Sequence, residues 1–257
     1  IFEQAIDFYA IEAAFAGPKA SPAACRAVLA QANERLKQRF FGGAPVAEIV
    51  RLRAAFIDEV MLRAWRHWGL ADSPHALLAV GGYGRAELLP HSDVDICVLL
   101  AGQLDPGTQR ELEGFVTFLW DISLEVGHSV RTVDECVSAA VDDITIMTNL
   151  MEERLIAGPP RLLTELQTAT DPTRIWPVDQ FFVAKMTEQE QRHQRFNDAF
   201  QQLEPNIKES PGGLRDIQSI AWVANRHFRT AGLHGLTDHG FLTTEEDGAA
   251  LDVFPIS

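Results

Sequence analysis

Cysteine is scarce: Cys25, Cys97 and Cys136 are the only three among 257 residues. Widely spaced and odd in number, they suggest neither a disulfide framework nor a zinc site, and they fit a reducing cytosol. No apolar run approaches the roughly 20 residues that a membrane helix needs. The first residues lack a basic stretch followed by an apolar one, so no signal peptide is expected. Basic charge is short too: 22 Lys and Arg face 36 Asp and Glu, a formal net charge of −14. A protein that clasps a long nucleic acid needs a basic face, because phosphate contacts supply most of its affinity. The composition therefore argues against nucleic acid and membrane as partners and for a cytoplasmic setting. A single nucleotide is a different matter, since a few local donors and a divalent cation can hold it. Internal repeats and low-complexity tracts are absent.

Helical patterns open the chain at residues 1–16, about 21–39 and about 45–69, punctuated by Pro18, Pro22, Gly42, Gly43 and Pro45. Ala76 to Val80 is a short apolar run that ends on Gly81-Gly82, and Val94 to Leu100 is another; both read as buried strands. Thr108 and Glu111 suggest a capping box for a helix carrying Leu112, Phe115, Val116 and Leu119. Leu124 to Val130 alternates as a strand, and a second capping box, Thr132 with Glu135, ends it. Ile144, Met147, Met151 and Leu155 make a further helical stripe. From about residue 159 the pattern is all helix, with one long polar-faced helix from Val178 to Leu203 and another from Leu214 to about Thr230.

Chemistry concentrates between the first two strands. Val80-Gly-Gly-Tyr-Gly-Arg85 is followed by Ser92-Asp-Val-Asp-Ile96, with Asp93 eleven positions after Gly82. Asp93 and Asp95 are two apart on a predicted strand, so their carboxylates share a face. Such a pair suits a hard divalent cation, because Mg²⁺ prefers a few carboxylates plus phosphate oxygens to a full protein cage. Gly81 and Gly82 let backbone N–H groups approach a triphosphate. Arg85 could add a bidentate phosphate contact, and Ser92 sits beside the first carboxylate. A Gly-Gly pair alone is more often a tight turn, and an Asp-x-Asp pair alone a solvated face. Strand, Gly-Gly, fixed offset and Asp-x-Asp together point to a nucleotidyltransferase site of the DNA polymerase β type.

The string Gly81-Gly-Tyr-Gly-Arg-Ala-Glu-Leu-Leu-Pro-His-Ser-Asp-Val-Asp95 resembles the signature of the bacterial PII uridylyltransferase/uridylyl-removing enzymes. Leu119-Trp-Asp-Ile-Ser-Leu-Glu-Val-Gly-His-Ser-Val-Arg-Thr132, Asn206-Ile-Lys-Glu-Ser-Pro-Gly-Gly-Leu-Arg-Asp-Ile217 and Arg226-His-Phe228 agree with it. The resemblance covers about residues 76–245; Ala86 and Ser210 stand where glycines are expected, and the stretch from Asp247 onward departs from the family.

The resemblance implies an α+β fold. A polymerase β-type core, a small mixed sheet with helices, would occupy 71–157. A helical arm would precede it at 1–70, and a helical domain completing the nucleotide site would follow at 158–257. It implies transfer of UMP from UTP to a tyrosine hydroxyl of the PII signalling protein, with Mg²⁺ or Mn²⁺. It also implies that this chain is an N-terminal portion, without the metal-dependent domain that removes UMP or the glutamine-sensing domains. Sites of this type usually have a third carboxylate on a later strand. Glu125 is the candidate, although a related adenylyltransferase family carries an aspartate where Gly127-His128 stand here. Lys208 and Arg215 flank a Gly-Gly pair before a helix and are expected to meet the triphosphate; the alternative is a joining loop whose Arg215 pairs with a carboxylate. Asp216 either orients Arg215 or helps bind metal. His128 is expected to be structural, Trp120, Trp176 and Trp222 to lie in the core or an interface, and Tyr83 to pack the loop or touch nucleotide. Two other functions remain open: adenylylation of glutamine synthetase, and a nucleotide-binding regulatory module without catalysis, against which the intact Asp93 and Asp95 speak.

Overall fold

The structure is a computed structural model and describes residues 8–17, 20–195, 206–228, 236–237 and 240. Its helices and strands run α1 (Phe8–Phe15), α2 (Pro22–Phe41), α3 (Val46–His67), β1 (Ala76–Ala79), α4 (Gly81–Gly84), β2 (Val94–Leu100), α5 (Pro106–Asp121), β3 (Val126–Thr132), α6 (Val133–Asp142), α7 (Ile144–Leu150), β4 (Arg154–Ala157), α8 (Pro160–Ala169), α9 (Val178–Arg195) and α10 (Leu214–Phe228). The described residues thus form a mixed α/β protein with one four-stranded sheet. Two compact units divide the chain: Ile1–Cys136 with Glu152–Thr168, and Val137–Met151 with Ala169–Ser257.

In the first unit the sheet order is β3-β2-β1-β4. β1 pairs antiparallel with both β2 and β4, while β2 and β3 run parallel. A parallel pair needs a crossover, and α5 supplies it. Every residue of β1 is buried, which is why its sequence is a continuous apolar run rather than an alternation. Val94, Ile96 and Val98 of β2 join the core with Leu112, Phe115 and Leu119 of α5 and Phe56, Ile57, Met61 and Trp65 of α3. Trp65 meets Phe115 edge-on at 5.3 Å between ring centroids. Each such large side chain, buried, stabilises the fold by about 1.5–3 kcal/mol.

Local rules explain most boundaries. The Ser21 side chain accepts from the Ala24 N–H, and Pro22 takes the first position of α2. Thr132 and Glu135 bond reciprocally: the Thr132 N–H donates to Glu135 Oε2 at 2.7 Å, and the Glu135 N–H to Thr132 Oγ1 at 3.3 Å. Other expectations need correction. α5 begins at Pro106, not at a Thr108 box: Asp105 caps it, accepting from the Gly107 and Thr108 N–H groups. Aspartate followed by proline is the stronger start, because it fills the cap and the first position at once. β3 starts at Val126, two residues after the expected Leu124, which is a buried core residue. Leu155 lies on β4, not on a helix; α7 stops at Leu150.

In the second unit Arg226 is 4% exposed and donates to the carbonyls of Thr170, Ile175 and Trp176. Helix α9 is described to Arg195 and α10 to Phe228, so the expected ends at Leu203 and Thr230 lie outside the described residues.

Candidate active site

After β1 the chain makes a single helical turn. Val80 donates its N–H to the Asp95 carbonyl at 3.0 Å, which fastens the start of the turn to the strand of the carboxylates. The Gly84 N–H then reaches the Val80 carbonyl, the Arg85 N–H the Gly81 carbonyl and the Glu87 N–H the Gly82 carbonyl, at 3.1, 3.1 and 2.9 Å. The three glycines are there for different reasons. Gly81 has φ +59°, a backbone that favours glycine. Gly84 is pressed against the Glu152 carbonyl, and a Cβ would overlap it. Gly82 has neither constraint: an added Cβ would find its nearest neighbours at 3.5 and 3.6 Å, ordinary contact. It is also the one residue of the four-residue turn that is not buried. The fold does not require glycine there, and the unburied backbone is open to an approaching ligand.

Ala86 follows with φ +60°. This is the position where the family resemblance led us to expect glycine, and the backbone shows why. A left-handed alanine costs about 1–2 kcal/mol, partly offset by the unfolded-state entropy that glycine would add. Ala86→Gly is expected to raise stability by up to about 1 kcal/mol, read as a higher urea midpoint; a lower midpoint would show that the alanine methyl packs better than its backbone strains.

Asp95 is the second residue of β2 and Asp93 directly precedes the strand. With Val94, Ile96 and Val98 committed to the core, the alternation turns Asp95 to the opposite face of β2, since a one-residue slip would bury it. Asp93 is exposed and Asp95 half-buried. Ser92 closes the preceding turn through its N–H to the Leu89 carbonyl at 3.1 Å. Across the parallel pair, Gly127 of β3 stands opposite Asp95. A Cβ on Gly127 would overlap Asp95 Oδ1. Gly127 thus leaves room for the Asp95 side chain, a role the sequence reading did not assign to it; the signal for it is a glycine inside a strand.

Glu125 accepts the Val94 N–H through its carbonyl at 2.8 Å, and its side chain is exposed. Asp93, Glu125 and Gly127 line a hollow of about 670 Å³ together with Trp120, Ser123, Leu124 and Val126. Trp120 is 52% exposed, a rim residue rather than a core one, and stands edge-on to the exposed His128 at 5.5 Å. Tyr83 is 1% exposed and packs the loop. Among the described residues no group of three or more His, Cys, Asp or Glu side chains is arranged to hold a metal ion. A pair of carboxylates such as Asp93 and Asp95 would suit a hard cation that takes its other oxygens from phosphate and water.

Arg85 is held by acids: Nε donates to Glu87 at 2.8 Å and Nη1 pairs with Glu152 at 2.6 Å. Its Nη2 runs beside the Gly82 backbone, 3.6 Å from where a Cβ would stand. Lys208 and Arg215 belong to the second unit. Lys208 is exposed on an Asn206-capped turn, and its N–H and that of Glu209 donate to Asn206 Oδ1, each at 3.0 Å. Arg215 stacks over Trp222 at 5.3 Å, donates to Gln218 at 3.1 Å and lies 3.8 Å from Glu209. Asp216 turns to Arg192 rather than Arg215 among these contacts: it accepts from Arg192 at 2.8 Å, from Gly212 at 2.7 Å and contacts His193 at 3.0 Å. Burial opposes its charge, but hydrogen bonds from Gln189, Gly212, Arg192 and His193 outweigh that and draw its carboxyl down to about 2. Trp176 donates to the Ala140 carbonyl at 2.6 Å, and Trp222 is buried beneath Lys185.

Comparison with known proteins agrees with this geometry. Residues 24–130, which hold the turn and the carboxylates, match the family described as "Putative nucleotidyltransferase DUF294". Residues 180–252, which hold Lys208 and Arg215, match "GlnD PII-uridylyltransferase". The bifunctional uridylyltransferase/uridylyl-removing enzyme of Ectopseudomonas mendocina is 47% identical over 230 residues, 89% of this chain and 26% of that protein. The chain is a relative of these bifunctional enzymes. That of Nitrosococcus oceani is 49% identical over 222 residues, 86% of this chain and 25% of its own length. That of Azotobacter vinelandii is 46% identical over 230 residues, 89% and 26%. The chain spans about a quarter of the length of the curated relatives it matches. Both family models and all three relatives are named for nucleotidyl or uridylyl transfer, so the chain is similar to enzymes of that class.

Proposed function

We propose that residues 71–157 form a polymerase β-type nucleotidyltransferase core that transfers UMP from UTP to a tyrosine hydroxyl of the PII protein. The observation that carries this reading is the joining of the unburied Gly82 turn to the Asp95 strand through the Val80 N–H. The names of the relatives supply the base and the acceptor. In this reading a phenolic oxygen forms a bond to the α-phosphorus, the bond from that phosphorus to the bridging oxygen breaks, and pyrophosphate leaves. The turn backbone at Gly81 and Gly82, with Arg85 Nη2 beside it, holds the phosphates. Asp93 and Asp95 hold a divalent cation, Mg²⁺ or Mn²⁺, which when bound neutralises charge on the transferred phosphate. Glu125 and Asp93, which line one hollow, offer carboxylate oxygens to the acceptor's proton.

The direct test is incubation of the chain with PII, Mg²⁺ and labelled UTP or ATP. Label on PII from UTP alone is the expected result; label from ATP would move the reading to adenylylation, and none from either would remove it. A binding variant sharpens this. In Gly82→Ala the methyl fits the fold but stands where phosphate approaches. Affinity for a non-hydrolysable UTP analogue with Mg²⁺, measured calorimetrically, should fall about tenfold or more, equivalent to roughly 1.4 kcal/mol. Unchanged affinity would make the turn purely structural.

A further inference from the structure

The glycine turn is gripped from outside its own motif. The register of β1 with β4 sets Arg154 opposite Ala79, the last residue of β1. From there the guanidinium donates through Nε to the Gly84 carbonyl at 3.2 Å and through Nη2 to the Tyr83 carbonyl at 3.1 Å. It also lies 5.4 Å from the centroid of the buried Tyr83 ring. On its far side Nη1 and Nη2 reach the two carboxylate oxygens of Asp58 on α3, at 2.8 and 3.0 Å. This is a two-pronged pair, which fixes the guanidinium's orientation as well as its position. Two residues earlier, Glu152 takes Arg85 at 2.6 Å, and its carbonyl is the atom packed on Gly84.

A single four-residue turn has no stability of its own, because too few hydrogen bonds reward the ordered backbone. Its side chains offer one anchor: three residues are glycine, and only Tyr83 is seated in the core. Arg154 supplies what is missing. It places a cation at the carbonyl end of the turn, where the backbone carries partial negative charge, and it fixes the Tyr83–Gly84 and Gly84–Arg85 peptide planes, just beyond Gly82.

We infer that Arg154, itself held by Asp58, is the positioning residue that sets the glycine turn for the phosphate chain of the nucleotide. This rests on the reading of that turn as the triphosphate cradle. Arg154 touches no substrate in this arrangement; it acts by removing the freedom that binding would otherwise have to quench.

The test compares Arg154→Ala, Arg154→Lys and Asp58→Asn with the parent chain, at a temperature where thermal melting shows each to be folded. Arg154→Ala should raise KM for UTP about tenfold or more, with kcat at saturating UTP changed much less. Arg154→Lys should recover part of the loss, since one ammonium can meet one carbonyl but not the whole fork. Asp58→Asn should raise KM in the same direction by a smaller factor. If Arg154→Ala does not fold, the two conservative variants decide. A lowered melting temperature with KM for UTP unchanged would make the clamp merely structural and overturn the inference. A parent chain that neither binds nor consumes UTP would overturn the cradle reading and the inference with it.

Discussion

Asp93→Asn and Asp95→Asn should each lower UMP transfer by about 10³-fold or more while the protein still folds. The size follows from what is removed. A cation on the transferred phosphate supplies several kcal/mol of charge stabilisation, and each 1.36 kcal/mol is about tenfold in rate. In the proposed site two carboxylates form the donor set, and asparagine keeps the shape of either while losing its charge. The fold has little at stake in Asp93, which is exposed, so its stability should change by no more than about 0.5 kcal/mol. Asp95 is half-buried and its main-chain carbonyl takes the Val80 N–H. That bond survives the substitution, because it does not involve the side chain. Label transfer to PII and thermal unfolding of both variants are the measurements. Near-parental transfer by either one would remove that carboxylate from the site, whatever the behaviour of the other.

The sequence announced the turn and the carboxylates because both are local facts. Gly81-Gly82 after an apolar run and Asp93-x-Asp95 at the start of another each fit within a few residues, and period-2 alternation is the ground for expecting a shared face. Strand β4 was hidden for the opposite reason. Arg154–Ala157 is a strand only because it pairs with β1, more than seventy residues earlier in the chain. Its leucine falls four positions after Met151, so the helical stripe of α7 seemed to continue through it. The same distance hid the clamp on the turn: Asp58, Tyr83 and Arg154 come from three separate elements, and no spacing rule links them. The caps divide in the same way. The Thr132–Glu135 box formed as written, since nothing nearby competed, whereas Asp105-Pro106 displaced the expected box at Thr108. Lys208 and Arg215 were singled out by charge and glycine. Within their own unit Arg215 has Gln218, Glu209 and the Trp222 ring as neighbours, partners that charge alone does not reveal.

Gly127→Ala should lower transfer by about 10²-fold with little change in melting temperature. The pairing of a functional loss with an intact fold comes from the kind of atom the new methyl meets. At Gly127 that atom is Oδ1 of Asp95, the tip of a side chain, which gives way more readily than backbone. At Gly84 the corresponding atom is the Glu152 carbonyl, part of the backbone, which cannot. The strand itself gains from the change, since glycine inside a strand is worse than alanine by roughly 0.5–1 kcal/mol. The Asp95 carboxylate bears the whole displacement. A misplacement of about 1 Å at a reacting centre is enough to cost about 10²-fold, and in the proposed site the displaced group is one of two that would hold the cation. Transfer assays and melting curves on the same preparation separate the outcomes. Parental activity would show that Asp95 does not need the space above Gly127, and its position in the site would have to be abandoned. A collapse in melting temperature would instead make Gly127 a glycine of the fold, with the carboxylate too firmly seated to yield.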